Sequence, residues 1–406
     1  MFLSARVARA RISASAASAQ RTRELRAAGV DIIGLSQGEP DFATPDHVIE
    51  AAYRAMREGQ TRYTPVDGTP ELKEAIVAKF QRENRLSFKA ENISVGAGGK
   101  QILYNALMAT LDPGDEVVIP APSWVAYAIM TEFAEGVPVW VRTGPDNGFK
   151  LTPAQLDAAI TPRTKWLMLN SPSNPTGAVY SPEELRELAA VLERHPQVWI
   201  LVDDMYEHIV FDGRRFVTFA EAAPQLSDRT LVVNGASKTY AMTGWRLGYG
   251  AGPASLIRAM ARMQAQCSLN PSSISQAAAV AALNGPQNIV TQRCAEFQAR
   301  RDQVLPLLEA IPGLSCTRPA GAFYIYISCA GWIGRRTPGG QELVTDADVG
   351  EYLLESGVAV PEGAGYGLSP YFRVSFATSL EKLKEACRRM DAAARKLGSR
   401  PQHALE

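Results

Sequence analysis

Two short stretches of this sequence carry side chains that could do covalent chemistry. In Asn234–Gly250, NGASKTYAMTGWRLGYG, Lys238 follows the apolar run TLVVNG and Arg246 lies eight positions on. An amine at the end of a buried strand loses solvation, which lowers its pKa and makes it a nucleophile toward an aldehyde. The plainer alternative is a solvated surface lysine. Upstream, WILVDDMYEH sets Asp203 and Tyr206 just past another apolar run. A carboxylate there can bind a positively charged ring nitrogen, and a phenol can donate a hydrogen bond. The alternative is an N-capping Asp beside a packed Tyr.

Three further pieces are weak alone. NSPSNPTG, residues 170–177, is a structured loop in which Asn174 can reach a ligand, or a plain turn. The Gly-rich turn GAGGK, Gly96–Lys100, precedes a helical pattern, so its N–H groups and the helix dipole could hold a phosphate. It matches neither GxxxxGK[ST] nor a convincing GxGxxG, and the acidic ribose partner of a nicotinamide site is missing. YFRVSFA places Arg373 in a late strand, where it either clamps a carboxylate or makes a surface ion pair.

The elements that must position these groups follow from pattern. PELKEAIVAKF, Pro70–Phe80, spaces Leu72, Ile76 and Phe80 by four and predicts an amphipathic helix. EVVIP, PVWV, KWLMLN, WILVD and TLVVNG are short, β-branched-rich runs bounded by turn signals. Alternating with helices such as SPEELRELAAVLERH, they predict an α/β sheet covered on both faces. After about residue 290 the pattern changes to a long helix, GAFYIYIS, a helix near Asp346–Ser356, and YFRVSFA. That reads as a smaller α+β domain.

Composition narrows the class. Among 406 residues, 42 Lys and Arg balance 42 Asp and Glu, so the basic excess of a general nucleic-acid binder is absent. Zero net charge leaves self-association unopposed. Five cysteines, none in a CxxC pair, and four histidines argue against a disulfide framework or a metal cluster and for a reducing, cytoplasmic setting. The first 23 residues lack acid and are rich in Arg, Ala and Ser. They are read as an ordered N-terminal arm, with a transit peptide as the alternative.

Taken in order, these pieces resemble the fold-type I aminotransferases that use pyridoxal 5′-phosphate. The resemblance runs through GEPDF (38–42), YTPVDGTPELKEA from Tyr63, GGKQ (98–101), DPGDEVVIPAPSW to Trp124, NSPSNPTG, DDMYEH, SKTYAMTGWRLGYGAGP, GAFY and FRVSFAT, nearly the whole chain. It is strongest to bacterial aspartate aminotransferases of the gamma subgroup, some of which also act on prephenate. The resemblance implies an α/β fold: a large cofactor domain at 46–290, with a mixed, mostly parallel seven-stranded-type sheet, and a small α+β domain at 291–406. Residues 1–45 would be an arm and part of the small domain.

It also implies roles. Lys238 would form the Schiff base with the cofactor and then move the substrate's Cα proton. Asp203 would pair with the pyridine nitrogen, Tyr206 with the ring's 3′-oxygen, and Trp124 would stack on the ring. Asn174 would touch both the 3′-oxygen and the substrate. Arg246, Ser237 and the Gly98–Gly99 amides would hold the phosphate, with Tyr63 reaching across a homodimer to the neighbouring subunit's phosphate. Arg373 would take the α-carboxylate with help from the Gly38 backbone, and Lys100 the distal carboxylate of aspartate or glutamate. The reaction implied is aspartate plus 2-oxoglutarate, by a ping-pong route. Prephenate, aromatic or alanine-type specificity is the alternative, with a β-lyase or decarboxylase, or a non-catalytic regulator, further off. Ser123, Ala277, Tyr366 and Arg11 depart from the family pattern and would reshape the pocket mouth.

Overall fold

The computed structural model describes residues 14–399 together with residues 2 and 7. Arg11 lies outside them. Twelve strands occur among the described residues: β1 (Ile33–Gly34), β2 (Ile93–Gly96), β3 (Glu116–Ala121), β4 (Val137–Arg142), β5 (Thr164–Asn170), β6 (Trp199–Asp203), β7 (Thr230–Gly235), β8 (Gly248–Ala251), β9 (Ser315–Cys316), β10 (Tyr324–Ser328), β11 (Val358–Ala359) and β12 (Tyr371–Ser375). Seven form one sheet in the order β2-β8-β7-β6-β5-β3-β4. Only β8 runs antiparallel to its neighbours; the other pairs are parallel. The runs read as near-continuous apolar sequence because both faces of the sheet are covered. Val118, Leu167, Leu169 and Val202 enter one core, and Val117, Met168, Leu201 and Val233 the other.

Parallel order brings the carboxyl ends of β5, β6 and β7 to one edge, where open α/β sheets bind ligands. Asn170 and Asp203 are register partners there, and β7 ends at Gly235, three residues before Lys238. The expected helix at Pro70–Phe80 continues to Asn84. Its first turn is capped by Thr69, whose Oγ accepts from the Leu72 amide, and it stops where Arg85 takes a left-handed φ of 57°.

The second layer is built as the late pattern predicted. β10 lies antiparallel between β9 and β12. Helices Asn288–Glu309 and Leu380–Lys396 cover a core containing Phe323, Trp332, Phe372 and Leu383. β1 pairs with β11, which ties the chain's beginning to this layer and carries Ser36–Glu39 to the sheet edge. Before it, Ala14–Ala27 is a helix. Among the described residues no helix is long and apolar enough to cross a membrane.

Candidate active site

A cavity of about 420 Å³ opens at the carboxyl edge of the sheet, between the two layers. Nearly all residues singled out in the sequence meet there: Gly38, Gly99, Lys100, Trp124, Asn174, Asp203, Tyr206, Ser237, Lys238, Arg246 and Arg373 line it. Gly98 sits at its rim against the Arg246 guanidinium. Tyr63 does not join them; its side chain is 87% exposed, outside the cavity.

Lys238 lies on the single helical turn Ala236–Thr239 that follows β7. Its Nζ donates to the Gly38 carbonyl at 2.6 Å. Burial pulls its pKa down to about 8, against the opposing charge of Glu39. Thus the sequence alternative of a solvated lysine does not hold. Asp203 ends β6 and is buried. Burial pushes its carboxyl up, opposed by the Tyr127 hydroxyl, which donates to Oδ2 at 2.7 Å, and by the Met205 amide, which donates to Oδ1 at 3.2 Å. No helix starts after it before Phe219, so it is not a helix cap. The Tyr206 and Tyr324 hydroxyls are 2.8 Å apart, and burial drives the Tyr206 phenol well above its ordinary range.

Arg373 is 2% exposed and makes no surface ion pair among the described residues. One Nη donates to Asn174 Oδ1 at 2.8 Å and the other to the Ser36 carbonyl at 2.6 Å, while its buried Nε finds no protein acceptor. The guanidinium lies 4.3 Å over the Tyr324 ring. A buried cation held by neutral acceptors alone is arranged for an anion.

At the opposite end, helix Gly99–Thr110 begins at Gly98, whose φ of 87° suits glycine. A Cβ at Gly98 would lie 2.5 Å from Arg246 Nη2. The Arg246 guanidinium spends its protein bonds on the Thr243 and Ala97 carbonyls, at 3.1 and 3.2 Å. The Gly98 amide is taken by the Gly96 carbonyl at 2.8 Å and the Gln101 amide by the Gly98 carbonyl at 3.0 Å, so the Gly99 and Lys100 amides and this cation together form an anion cradle. Lys100 projects from the same turn, 5.4 Å over the Trp124 ring, its pKa lowered by burial and by Arg246.

Sequence reasoning missed Ser36, Tyr127 and Tyr324. Tyr127 stands three residues after Trp124, a helical spacing that signals a shared face. Tyr324 was inside GAFY but had no partner until β10 met the loop after β6. Also missed was a buried network behind Lys238: Glu83, Glu207 and His208 converge like metal ligands, yet Lys79 Nζ pairs with both glutamates and supplies the positive charge. His208 Nδ1 lies 3.0 Å from Thr239 Oγ1, bracing the turn that carries Lys238. The Ser123 amide donates to the Tyr366 carbonyl at 3.0 Å, both residues are buried, and the Tyr366 ring lies 5.3 Å from the Arg373 guanidinium, while Ala277 lies on helix Ser273–Asn284 outside the cavity lining.

The model of the aminotransferase class I and II family matches residues 30–390. This chain belongs to that family. It is 56% identical over 392 residues to an aspartate/prephenate aminotransferase of Cereibacter sphaeroides, covering 96% of this chain and 98% of that one. The crystal structure of the aspartate aminotransferase from Rhizobium meliloti matches with a TM-score of 0.95 at 53% identity, over 98% of this chain and 100% of that one. The aspartate aminotransferase from Thermus thermophilus with maleate gives 0.90 at 42%, over 97% and 100%. The chain is thus a transaminase dependent on pyridoxal phosphate. The cavity suits that cofactor: an anion cradle at one end, a buried carboxyl along the floor, and an amine near neutrality between them.

Proposed function

We propose that this aminotransferase moves the amino group of aspartate or glutamate to a 2-oxo acid, converting aspartate and 2-oxoglutarate to oxaloacetate and glutamate by a ping-pong route. The observation carrying this reading is the convergence of Lys238, Asp203 and two anion sites, at Arg246 and Arg373, in one cavity with Lys100 as an additional cation. When bound, the cofactor supplies an aldehyde and an electron-withdrawing ring.

The protein's own groups do the rest. Gly99, Ser237 and Arg246 hold the phosphate, with Gly98 leaving room for the Arg246 guanidinium, and Trp124 covers the ring face. Asp203, kept in register by Tyr127, holds a proton on the ring nitrogen, which strengthens the electron sink. Tyr206 donates to the ring oxygen, assisted by Asn174. Arg373, oriented by Asn174 and Ser36 and joined by the Gly38 backbone, binds the α-carboxylate. The Lys238 amine, near neutrality because it is buried, takes the Cα proton at Nζ and returns it. Lys100 faces the distal carboxylate; being a point charge, it tolerates other side chains, and prephenate belongs in any substrate panel.

The arrangement works in a homodimer, with Tyr63 reaching the partner's phosphate site; its exposure supports this. Segments 46–290 and 291–406 act as large and small domains, with 1–45 an arm joined to the latter. Five cysteines without disulfides favour the cytoplasm. The test is a panel of donors against 2-oxoglutarate, oxaloacetate, pyruvate and prephenate, with Lys238→Ala as control. A stoichiometric 2-oxo acid product is expected, with aspartate and glutamate preferred. Release of ammonia or carbon dioxide instead, or a purified protein without a pyridoxal-type visible band, would refute the proposal.

A further inference from the structure

The cavity holds more positive charge than the reading above employs. With Arg246, Lys238, Arg373 and Lys100 committed, one cation remains among the described residues of its wall, Arg23. Arg23 comes from helix Ala14–Ala27, four residues after Ala19, and the two face the cavity from one side of that helix. The helix is pinned on either side of Arg23. Thr22 is buried, with its Cγ2 so close to Gly34 that a Cβ there would lie 3.0 Å away. Arg26 Nε donates to the Ile32 carbonyl at 2.9 Å.

The guanidinium of Arg23 is occupied only by a neutral acceptor. Its Nε and Nη2 donate to Gln20 Oε1, at 3.2 and 2.5 Å. The nearby Glu24 is turned to Arg21, at 3.8 Å, and to the Gln20 amide, at 2.9 Å. Among the described residues Arg23 forms no ion pair with a carboxylate. A charged fork resting on one amide oxygen gains by exchanging it for a carboxylate, which adds attraction between opposite charges and accepts both prongs in parallel.

We propose that Arg23 is a second specificity-determining cation, which binds the distal carboxylate of the dicarboxylic substrate together with Lys100. The inference rests on the dicarboxylate reading above. Arg23 supplies the planar fork that an ammonium cannot. Selectivity for aspartate then depends on the N-terminal helix as well as on the sheet edge.

The experiment compares holoenzyme with Arg23→Gln, Arg23→Lys and Lys100→Ala. Succinate, a dicarboxylate with no amino or oxo group to react, is titrated by calorimetry, and kcat and KM are measured for aspartate and alanine. In Arg23→Gln we expect succinate affinity and the aspartate-to-alanine ratio of kcat/KM each to fall roughly tenfold. The loss should lie in the aspartate KM, with partial recovery in Arg23→Lys. If succinate binding and that ratio stay at wild-type values in Arg23→Gln while Lys100→Ala lowers both, Arg23 is excluded and the dicarboxylate reading stands. Equal losses for aspartate and alanine would also overturn the proposal, since they mark a general distortion. A wild-type enzyme that neither prefers aspartate nor binds succinate overturns the reading beneath it.

Discussion

Replacing Tyr127 by Phe removes one hydrogen bond and little else. The ring, 2% exposed and edge-on to Trp124 with centroids 5.5 Å apart, keeps its packing. What disappears is the 2.7 Å donor to Asp203 Oδ2, leaving the carboxylate with the 3.2 Å Met205 amide on its other oxygen. A hydrogen bond to a buried charged group is worth about 1.5–3 kcal/mol, and about 1.4 kcal/mol corresponds to one pKa unit. The bond favours the ionised form, so its loss raises the Asp203 pKa by roughly one to two units. Burial already pushes that carboxyl up, and the two effects act in the same direction. Because a neutral Asp203 cannot hold the ring-nitrogen proton by charge, activity fails at higher pH than in the wild type. The acid limb of the kcat/KM profile moves up by that amount, and cofactor affinity weakens below the new limb. Measuring both across the acid range decides the matter. An acid limb and a cofactor affinity that stay at their wild-type positions would show that Tyr127 does not set the charge of Asp203.

Four other outcomes follow from the same geometry. Gly98→Ala adds a Cβ 2.5 Å from Arg246 Nη2 at a φ of 87°, so the guanidinium is displaced and the turn strained; cofactor affinity should fall roughly tenfold, read by spectroscopic titration of the apoprotein. Arg373→Lys replaces a fork held at 2.8 and 2.6 Å by a point charge, and KM should rise roughly tenfold or more for aspartate and alanine alike, unlike the selective effect expected at Arg23. The Lys238 amine, at about 8 rather than 10.5, should make capture of the cofactor aldehyde by apoprotein accelerate as pH rises through about 8 and level off above it. Between those two values the unfolded chain binds the extra proton, so apoprotein stability relative to Lys238→Met should increase with pH over that window.

Much of the architecture was legible because its physics is local. β-branched runs such as KWLMLN and TLVVNG become strands through their own pattern, and the Ser181 capping box marks the start of helix Pro182–Glu193. Motif order likewise carried Lys238, Asp203, Arg246 and Arg373, because each stands at a fixed offset from a strand or turn. The sequence by itself therefore determined which groups are available and which local elements carry them.

Tertiary structure alone decided what those groups are. Whether Lys238 is a solvated ammonium or an amine near neutrality depends on burial against Gly38, 200 positions away. Tyr127 and Asp203 are 76 positions apart, and Arg373 and Ser36 337, so no window of sequence pairs them. Arg23 is an unremarked basic residue of an arm until the pinned helix brings it to the cavity wall. Charge state and reach are set by desolvation and by neighbours that only the folded chain assembles.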